Sequence, residues 1–195
     1  MDARRDRLIE LLLVHSYQYR ADPPFALSSG RTSPHYLDCK AVTLHPEGLH
    51  LVGGLGYEIV QRLGARAVGG LTLGADPISC AIAMHSFLRS TPLRAFVVRK
   101  EPKPHGMARW IEGGIAEGTR VAVVDDVITT GGSTVLAIDR AREAGLIVED
   151  VLVLVDREEG ARANLESHGV RVHAVVSMSE LKSRREAAQM RAVQA

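Results

Sequence analysis

The stretch V-A-V-V-D-D-V-I-T-T-G-G-S-T, residues 121–134, opens as an apolar run, crosses two adjacent carboxylates and ends in hydroxyls and glycines. Four apolar residues at 121–124 suit an interior strand, and residues 133–144, closed by Gly145, suit a helix. Asp125 and Asp126 are then expected where the strand ends, at the mouth of a sheet. Two ionised carboxylates side by side repel, so their placement is costly unless a ligand or metal compensates. Sugar hydroxyls are suitable partners. Thr129, Thr130, Gly131, Gly132, Ser133 and Thr134 follow at the start of the helix. Glycines let backbone amides approach an anion, hydroxyls add donors, and the helix start carries partial positive charge. A phosphate fits there, and a ribose 5-phosphate matches both halves of the stretch. The competing reading is a tight strand-to-helix turn with an ordinary Ser or Thr N-cap.

Outward from this stretch, strand-like and helix-like segments alternate. Leu49, Val52, Leu55, Ile59 and Leu63 recur at helical spacing, and residues 67–71 read as a buried strand. Asp76 and Pro77 offer an N-cap and first turn for a helix to Leu88, followed by a strand at 93–98. Residues 120–125, 151–155 and 170–176 read as further strands, with a helix near 161–168 between the last two. Five apolar runs joined by helices predict an α/β fold: a mostly parallel five-stranded sheet with helices on both faces. Ligands of such sheets bind beyond the carboxyl ends of the strands. Residues 1–45 differ, with a charged amphipathic helix and then a segment rich in Pro, Ser and Gly, and read as a small N-terminal cap on the 46–195 core. The whole of 1–195 is expected to form a single domain.

Twenty-four Lys and Arg against 23 Asp and Glu give a formal charge of +1, which gathers neither nucleic acid nor an anionic membrane. The apolar run at 8–14 is too short and too charged to span a bilayer, and no small-residue cleavage site follows it. Cys39 and Cys80, without C-x-x-C spacing, indicate neither a disulfide framework nor a zinc site, so a reduced, cytoplasmic protein is expected. No metal-ligand spacing occurs among the eight histidines. The lack of G-x-x-x-x-G-K-[ST] and of a well-placed G-x-G-x-x-G disfavours nucleoside triphosphates and dinucleotides.

V-V-D-D-V-I-T-T-G-G-S resembles the phosphoribosyl pyrophosphate (PRPP) signature of type I phosphoribosyltransferases. The resemblance implies that Asp125 and Asp126 hold the ribose hydroxyls. It places the stretch Val127, Ile128, Thr129, Thr130, Gly131, Gly132 and Ser133 around PRPP, with Thr129 to Ser133 at the 5-phosphate. It also implies Mg2+ as the cofactor.

A second stretch, V-V-R-K-E-P-K-P-H-G-M-A-R-W at 97–110, crowds Arg99, Lys100, Lys103 and His105 into one polar connection. So many cations suit a multiply charged anion such as pyrophosphate, although a lone charge run is more often a solvated loop. The pattern R-K-x-x-K-x-H is similar to the mobile catalytic loop of orotate phosphoribosyltransferases. It implies that Arg99, Lys100, Lys103 and His105 bind PRPP, and that the last three stabilise the leaving group. It further implies a homodimer in which one subunit's loop closes over its partner's site. F-A-L-S-S-G-R-T-S-P-H-Y-L-D-C-K at 25–40 resembles that family's base-lining segment. V-L-V-L-V-D-R-E-E-G at 151–160 resembles the strand end whose arginine, here Arg157, faces orotate together with Thr129. A guanidinium fork suits a carboxylated pyrimidine; an ion pair to Asp156, Glu158 or Glu159 is the plain alternative.

The resemblance spans about residues 25–160. It implies transfer of ribose 5-phosphate from PRPP to orotate, giving orotidine 5'-phosphate and pyrophosphate in pyrimidine biosynthesis. The partners expected are these two small molecules, with no nucleic acid and no membrane. Ser28 and Gly74 stand where the family can carry lysines, so the 72–76 turn is expected to supply only backbone contacts or shape. Tyr36 and Leu37 stand where it can carry aromatics, which leaves the stacking partner of the base open. A phosphoribosyltransferase for a purine should lack the 25–40 and 99–105 patterns, and a PRPP-sensing nucleic-acid regulator should carry a basic surface.

Overall fold

Each expected apolar run forms a strand, and the order in which the strands lie places the acid pair. The computed structural model describes residues 2–26, 32–101 and 110–194; Ser28, Lys103 and His105 lie outside them. Helix α1 (Ala3–Leu11) continues through a wider π turn (Leu12–Ser16) into the short strands β1 (Tyr17–Tyr19), β2 (Phe25–Ala26), β3 (Thr32–Ser33) and β4 (His35–Leu37). Helices α2 (Lys40–Thr43) and α3 (Pro46–Leu63) lead to β5 (Ala67–Leu71), α4 (Ala75–Leu88), β6 (Arg94–Val98) and β7 (Ile111–Glu112). The chain ends with β8 (Arg120–Ile128), α5 (Gly132–Glu143), β9 (Ile147–Asp156), α6 (Ala161–Ser167), β10 (Arg171–Ser177) and α7 (Met178–Gln194).

The main sheet has the order β10-β9-β8-β5-β6-β7. The five expected strands are mutually parallel, and β7 adds a sixth, antiparallel to β6 at the edge. Two residues are too few to carry a period, which is why this strand is not legible in the sequence. Strand alternation sends Ala122, Val124, Leu152 and Leu154 to one apolar cluster and Val121, Val123, Val151 and Val153 to the other. Both faces are thus covered, as a parallel sheet requires. The first cluster takes in Leu55 and Val60 of α3, and the second Ile138 and Ala141 of α5 with Leu165 of α6.

The N-terminal residues pack directly on this core. Leu8, Ile9, Leu11 and Leu12 are buried in the same cluster as α3. Arg4 pairs with Glu58 at 2.7 Å, and Arg5 pairs with Glu180 of α7. Beyond α1, β1 pairs with β4 and β2 with β3 in two small antiparallel ladders. Helix α7 buries Met178 and Leu181 but is polar over most of its length, so no apolar stripe announces it.

The strand order reverses between β5 and β8, because β8, β9 and β10 run outward on one side and β5, β6 and β7 on the other. This is the switch point at which open α/β sheets bind ligands. β5 pairs with β8 only as far as Gly69 with Val123. Beyond that register β8 continues alone on this side, and the turn at 72–74 crosses its end.

Candidate active site

The aspartates do not follow the strand; they belong to it. β8 runs on to Ile128 along β9, which corrects the expected end at Asp125. Alternation therefore turns the two neighbours apart. Asp125 faces α5: its Oδ2 accepts from Thr134 Oγ1 at 2.7 Å and Ser133 Oγ at 3.2 Å, while Oδ1 accepts from the Asp126 amide at 3.0 Å. Asp126 faces the other layer: Oδ1 accepts from the Val127 amide at 3.0 Å, and Oδ2 accepts from Lys40 Nζ at 3.2 Å. Both carboxylates are buried, at 7% and 5% exposure. For Asp125 desolvation dominates; the hydroxyl of Thr134 opposes it and the charge of Asp126 adds to it, so its pKa is raised to about 6.

Helix α5 starts without a side-chain cap. Its N-cap is Gly131, at φ 83°, a left-handed conformation that suits glycine. Ser133 and Thr134 spend their hydroxyls on Asp125, so the ordinary Ser or Thr N-cap is excluded. The first-turn amides of a helix have no intrahelical partners, and the Thr129 to Gly131 loop leads directly into them. That loop is tied down from α6, with Thr129 O accepting from Ala161 N at 3.1 Å and Thr130 O from Asn164 Nδ2 at 2.8 Å. A Cβ on Gly132 would meet nothing within 4 Å, so the loop opens outward there. Val127 is half-buried, and Ile128 is packed in the second core cluster, leaving only its backbone to the site.

The turn after β5 forms the other wall. A Cβ on Gly74 would sit 2.6 Å from Asp126 Oδ1 and 3.3 Å from Asp125 Oδ1. Any side chain at this position would have to push the Asp126 carboxylate aside; the backbone itself lies against the acids. Asp76 is not the N-cap of α4, whose cap is Gly74 without a side-chain bond; it accepts from Thr72 Oγ1 at 2.6 Å. The Thr72 amide donates to Val98 O at 3.0 Å, joining this turn to the end of β6.

Arg99 and Lys100 leave β6 at that end. Together with Thr72, Val97, Glu101 and Glu112 they line a cavity of about 420 Å3. Arg99 is braced by Glu101 O at 3.2 Å and Glu112 Oε1 at 3.4 Å, while Lys100 is exposed. Past the basic stretch, the Arg140 guanidinium lies 3.7 Å from the Trp110 ring centroid, which anchors the returning chain to α5.

Arg157 follows β9 beside the Thr129 loop, its amide donating to Ile128 O at 3.0 Å. The residue is buried, and its guanidinium contacts Glu159 Oε1 at 2.8 Å. The plain ion pair foreseen for it is thus present, with Glu159 as partner. In the N-terminal ladders, Tyr36 packs on Phe25 with centroids 5.3 Å apart. Leu37 is buried in the core, so of these two only Tyr36 is exposed. His35 Nδ1 and the Tyr17 hydroxyl share a hydrogen bond of 2.5 Å. Burial first, then the positive charges of Lys182, Arg185 and Arg157, lower its pKa.

One contributor escapes sequence reasoning: Lys40. Thr134 is expected among the hydroxyl donors of the loop; its hydroxyl instead serves Asp125. Lys40 is 86 positions from the acid it meets, and no local pattern encodes such a contact. Among the described residues no group of three His, Cys, Asp or Glu could hold a metal ion, and no helix is long and apolar enough to cross a membrane.

No family model matches the chain. It is 49% identical over 177 residues to the orotate phosphoribosyltransferase of Aquifex aeolicus (strain VF5), covering 91% of this chain and 97% of that one. It is 40% identical over 181 residues to the orotate phosphoribosyltransferase of Nostoc sp. (strain PCC 7120), covering 92% and 86%. Among solved structures, Mycobacterium tuberculosis H37Rv orotate phosphoribosyltransferase in complex with PRPP superposes with a TM-score of 0.77 at 37% identity, covering 92% of this chain and 99% of that one. A phosphoribosyltransferase from Corynebacterium diphtheriae gives 0.79 at 33% identity, covering 92% and 99%. The adenine phosphoribosyltransferase of Leishmania tarentolae, at 16% identity and a TM-score of 0.62 over 90% and 88% of the two chains, shares the fold alone.

Proposed function

The chain belongs to the orotate phosphoribosyltransferase family, and from this premise we propose how its site carries out the family's reaction. It transfers ribose 5-phosphate from PRPP to orotate, giving orotidine 5'-phosphate and pyrophosphate, a pentosyl transfer of pyrimidine biosynthesis. A ring nitrogen of orotate bonds to the anomeric carbon as the bond to the pyrophosphate oxygen breaks, and that oxygen keeps the electron pair. No protein nucleophile is required. Positive charge builds on the sugar ring and negative charge on the departing pyrophosphate, so positioning and electrostatics do the catalysis.

The observation that carries this reading is the junction of buried acids and uncapped helix. Asp125 and Asp126 accept ribose hydroxyls, while the Thr129 to Ser133 loop and the first amides of α5 take the 5-phosphate. Arg157, with Thr129, meets orotate; Glu159 Oε1 braces its Nε and one Nη, which leaves the other Nη for the base. Arg99 and Lys100 stand at the pyrophosphate side, and Lys103 and His105 complete that role from the same loop. The donor set does not form a protein-held metal site: two acids are present and one already carries Lys40. Mg2+ commonly keeps its waters and rides on substrate phosphates. It is accordingly assigned to PRPP, and no step here is routed through it.

A homodimer with shared sites fits the exposed apolar side chains of α4, where Met84, Phe87 and Leu88 are 59%, 72% and 70% exposed. A cytoplasmic location fits the reduced cysteines. The decisive assay follows absorbance with PRPP and orotate, uracil, hypoxanthine or adenine in parallel. Turnover of orotate alone is the expected result, and turnover of a purine without orotate overturns the assignment.

A further inference from the structure

Lys40 has no part in the scheme above, yet its ammonium lies 3.2 Å from Asp126 Oδ2 inside the site. The side chain is delivered by a short, well-anchored element. Cys39 is fully buried, and the Lys40 amide donates to Asp38 Oδ1 at 3.1 Å at the start of α2. The same Asp38 oxygen lies 3.5 Å from Nζ, so the ammonium is held between two acids. Burial works against its charge, but the attraction of Asp126 and Asp38 outweighs this and raises the Lys40 pKa. On its opposite side Asp126 is closed in by the Gly74 backbone.

The two aspartates are thereby unlike. Asp125 is served by hydroxyls and a backbone amide, whereas Asp126 is served by one amide and one cation. A buried carboxylate that loses its only ion-pair partner among the described residues is driven to reorient or take up a proton. We propose that Lys40 is a positioning residue for ribose recognition: its ammonium sets the orientation of the Asp126 carboxylate, so affinity for PRPP depends on a side chain from the base-side segment. This rests on the assignment of the acid pair to the ribose. It also joins the two substrate sites mechanically, because Lys40 ends the 25–40 segment while Asp126 lies in the central strand, two residues before its end at Ile128.

The test compares the full-length wild type with Lys40→Met, Lys40→Gln, Lys40→Arg and Asp38→Asn in steady-state assays with magnesium. Orotate is titrated separately by calorimetry, and folding is followed by circular dichroism. Lys40→Met should raise the KM for PRPP about 10- to 100-fold, the usual range for loss of a charged hydrogen bond, and leave orotate affinity unchanged. Arginine should restore most of the loss. Asp38→Asn, which keeps the contact with Asp126, should be mild. Should the methionine variant not fold, glutamine keeps a donor without the charge and should give an intermediate KM. An unchanged PRPP KM overturns the proposal, as does an equal loss for both ligands, or an arginine variant no better than methionine. In each of those cases the wild type is active; an inactive wild type instead overturns the enzymatic reading on which the proposal stands.

Discussion

Replacing Asp125 by asparagine should make the protein more stable and nearly useless with PRPP. Asp125 has a pKa raised from 3.8 to about 6 by burial, with Asp126 adding to it. The folded protein therefore binds this proton more tightly than the unfolded chain. Between those two values stability falls as pH rises; the penalty is fully developed above pH 6 and absent below 3.8. Two pKa units correspond to about 3 kcal/mol. Asparagine removes the charge, and the bonds from Ser133 and Thr134 are already contained in that shift, which they lower. The gain is about 2 to 3 kcal/mol, or roughly 4 to 12 °C for a chain of this size. Melting curves at pH 8 and pH 4, at one protein concentration, read it directly: a higher midpoint for Asp125→Asn at pH 8 and little difference at pH 4. Parallel kinetics should show PRPP use collapsing while orotate still binds. An equal gain at both pH values, or a less stable variant at pH 8, would refute the account of the buried acid.

Arg157→Ala should weaken orotate binding by roughly one to two decades and leave PRPP binding nearly intact, with lysine restoring part because it has the charge without the fork. Separate titrations of the folded variant decide this, and equal losses count against a base-specific role. Gly74→Ala should fold, since the backbone there has φ −60°. It should nonetheless raise the KM for PRPP, because the new methyl meets Asp126 Oδ1 at 2.6 Å; an unaltered KM would show that this carboxylate does not touch the ribose. Subunits carrying Asp125→Asn mixed with subunits carrying Lys103→Ala should regain part of the wild-type rate. Confirmed mixed dimers without recovery would show that each subunit works alone.

Much of the molecule is written locally. Segments of five to seven residues rich in apolar side chains became β5, β6, β8, β9 and β10, and Gly145, with φ 75°, lies just beyond the helix it was expected to close. Such elements depend on side chains a few positions apart, so hydrophobic period and turn chemistry reveal them. The acid pair and the glycine loop were legible for the same reason, as one unbroken stretch of chain. Tertiary structure alone decided the rest. β8 extends through Asp125 and Asp126 because β9 pairs with it as far as Ile128, and that extension turns the two acids to opposite layers. One acid then meets Thr134 and the other Lys40, which lie 9 and 86 positions away. α7 and β7 are held by contacts with distant elements rather than by any period of their own. Local patterns record which conformation a segment prefers; which carboxylate is neutralised, and by what, depends on where the packed sheet brings distant residues together.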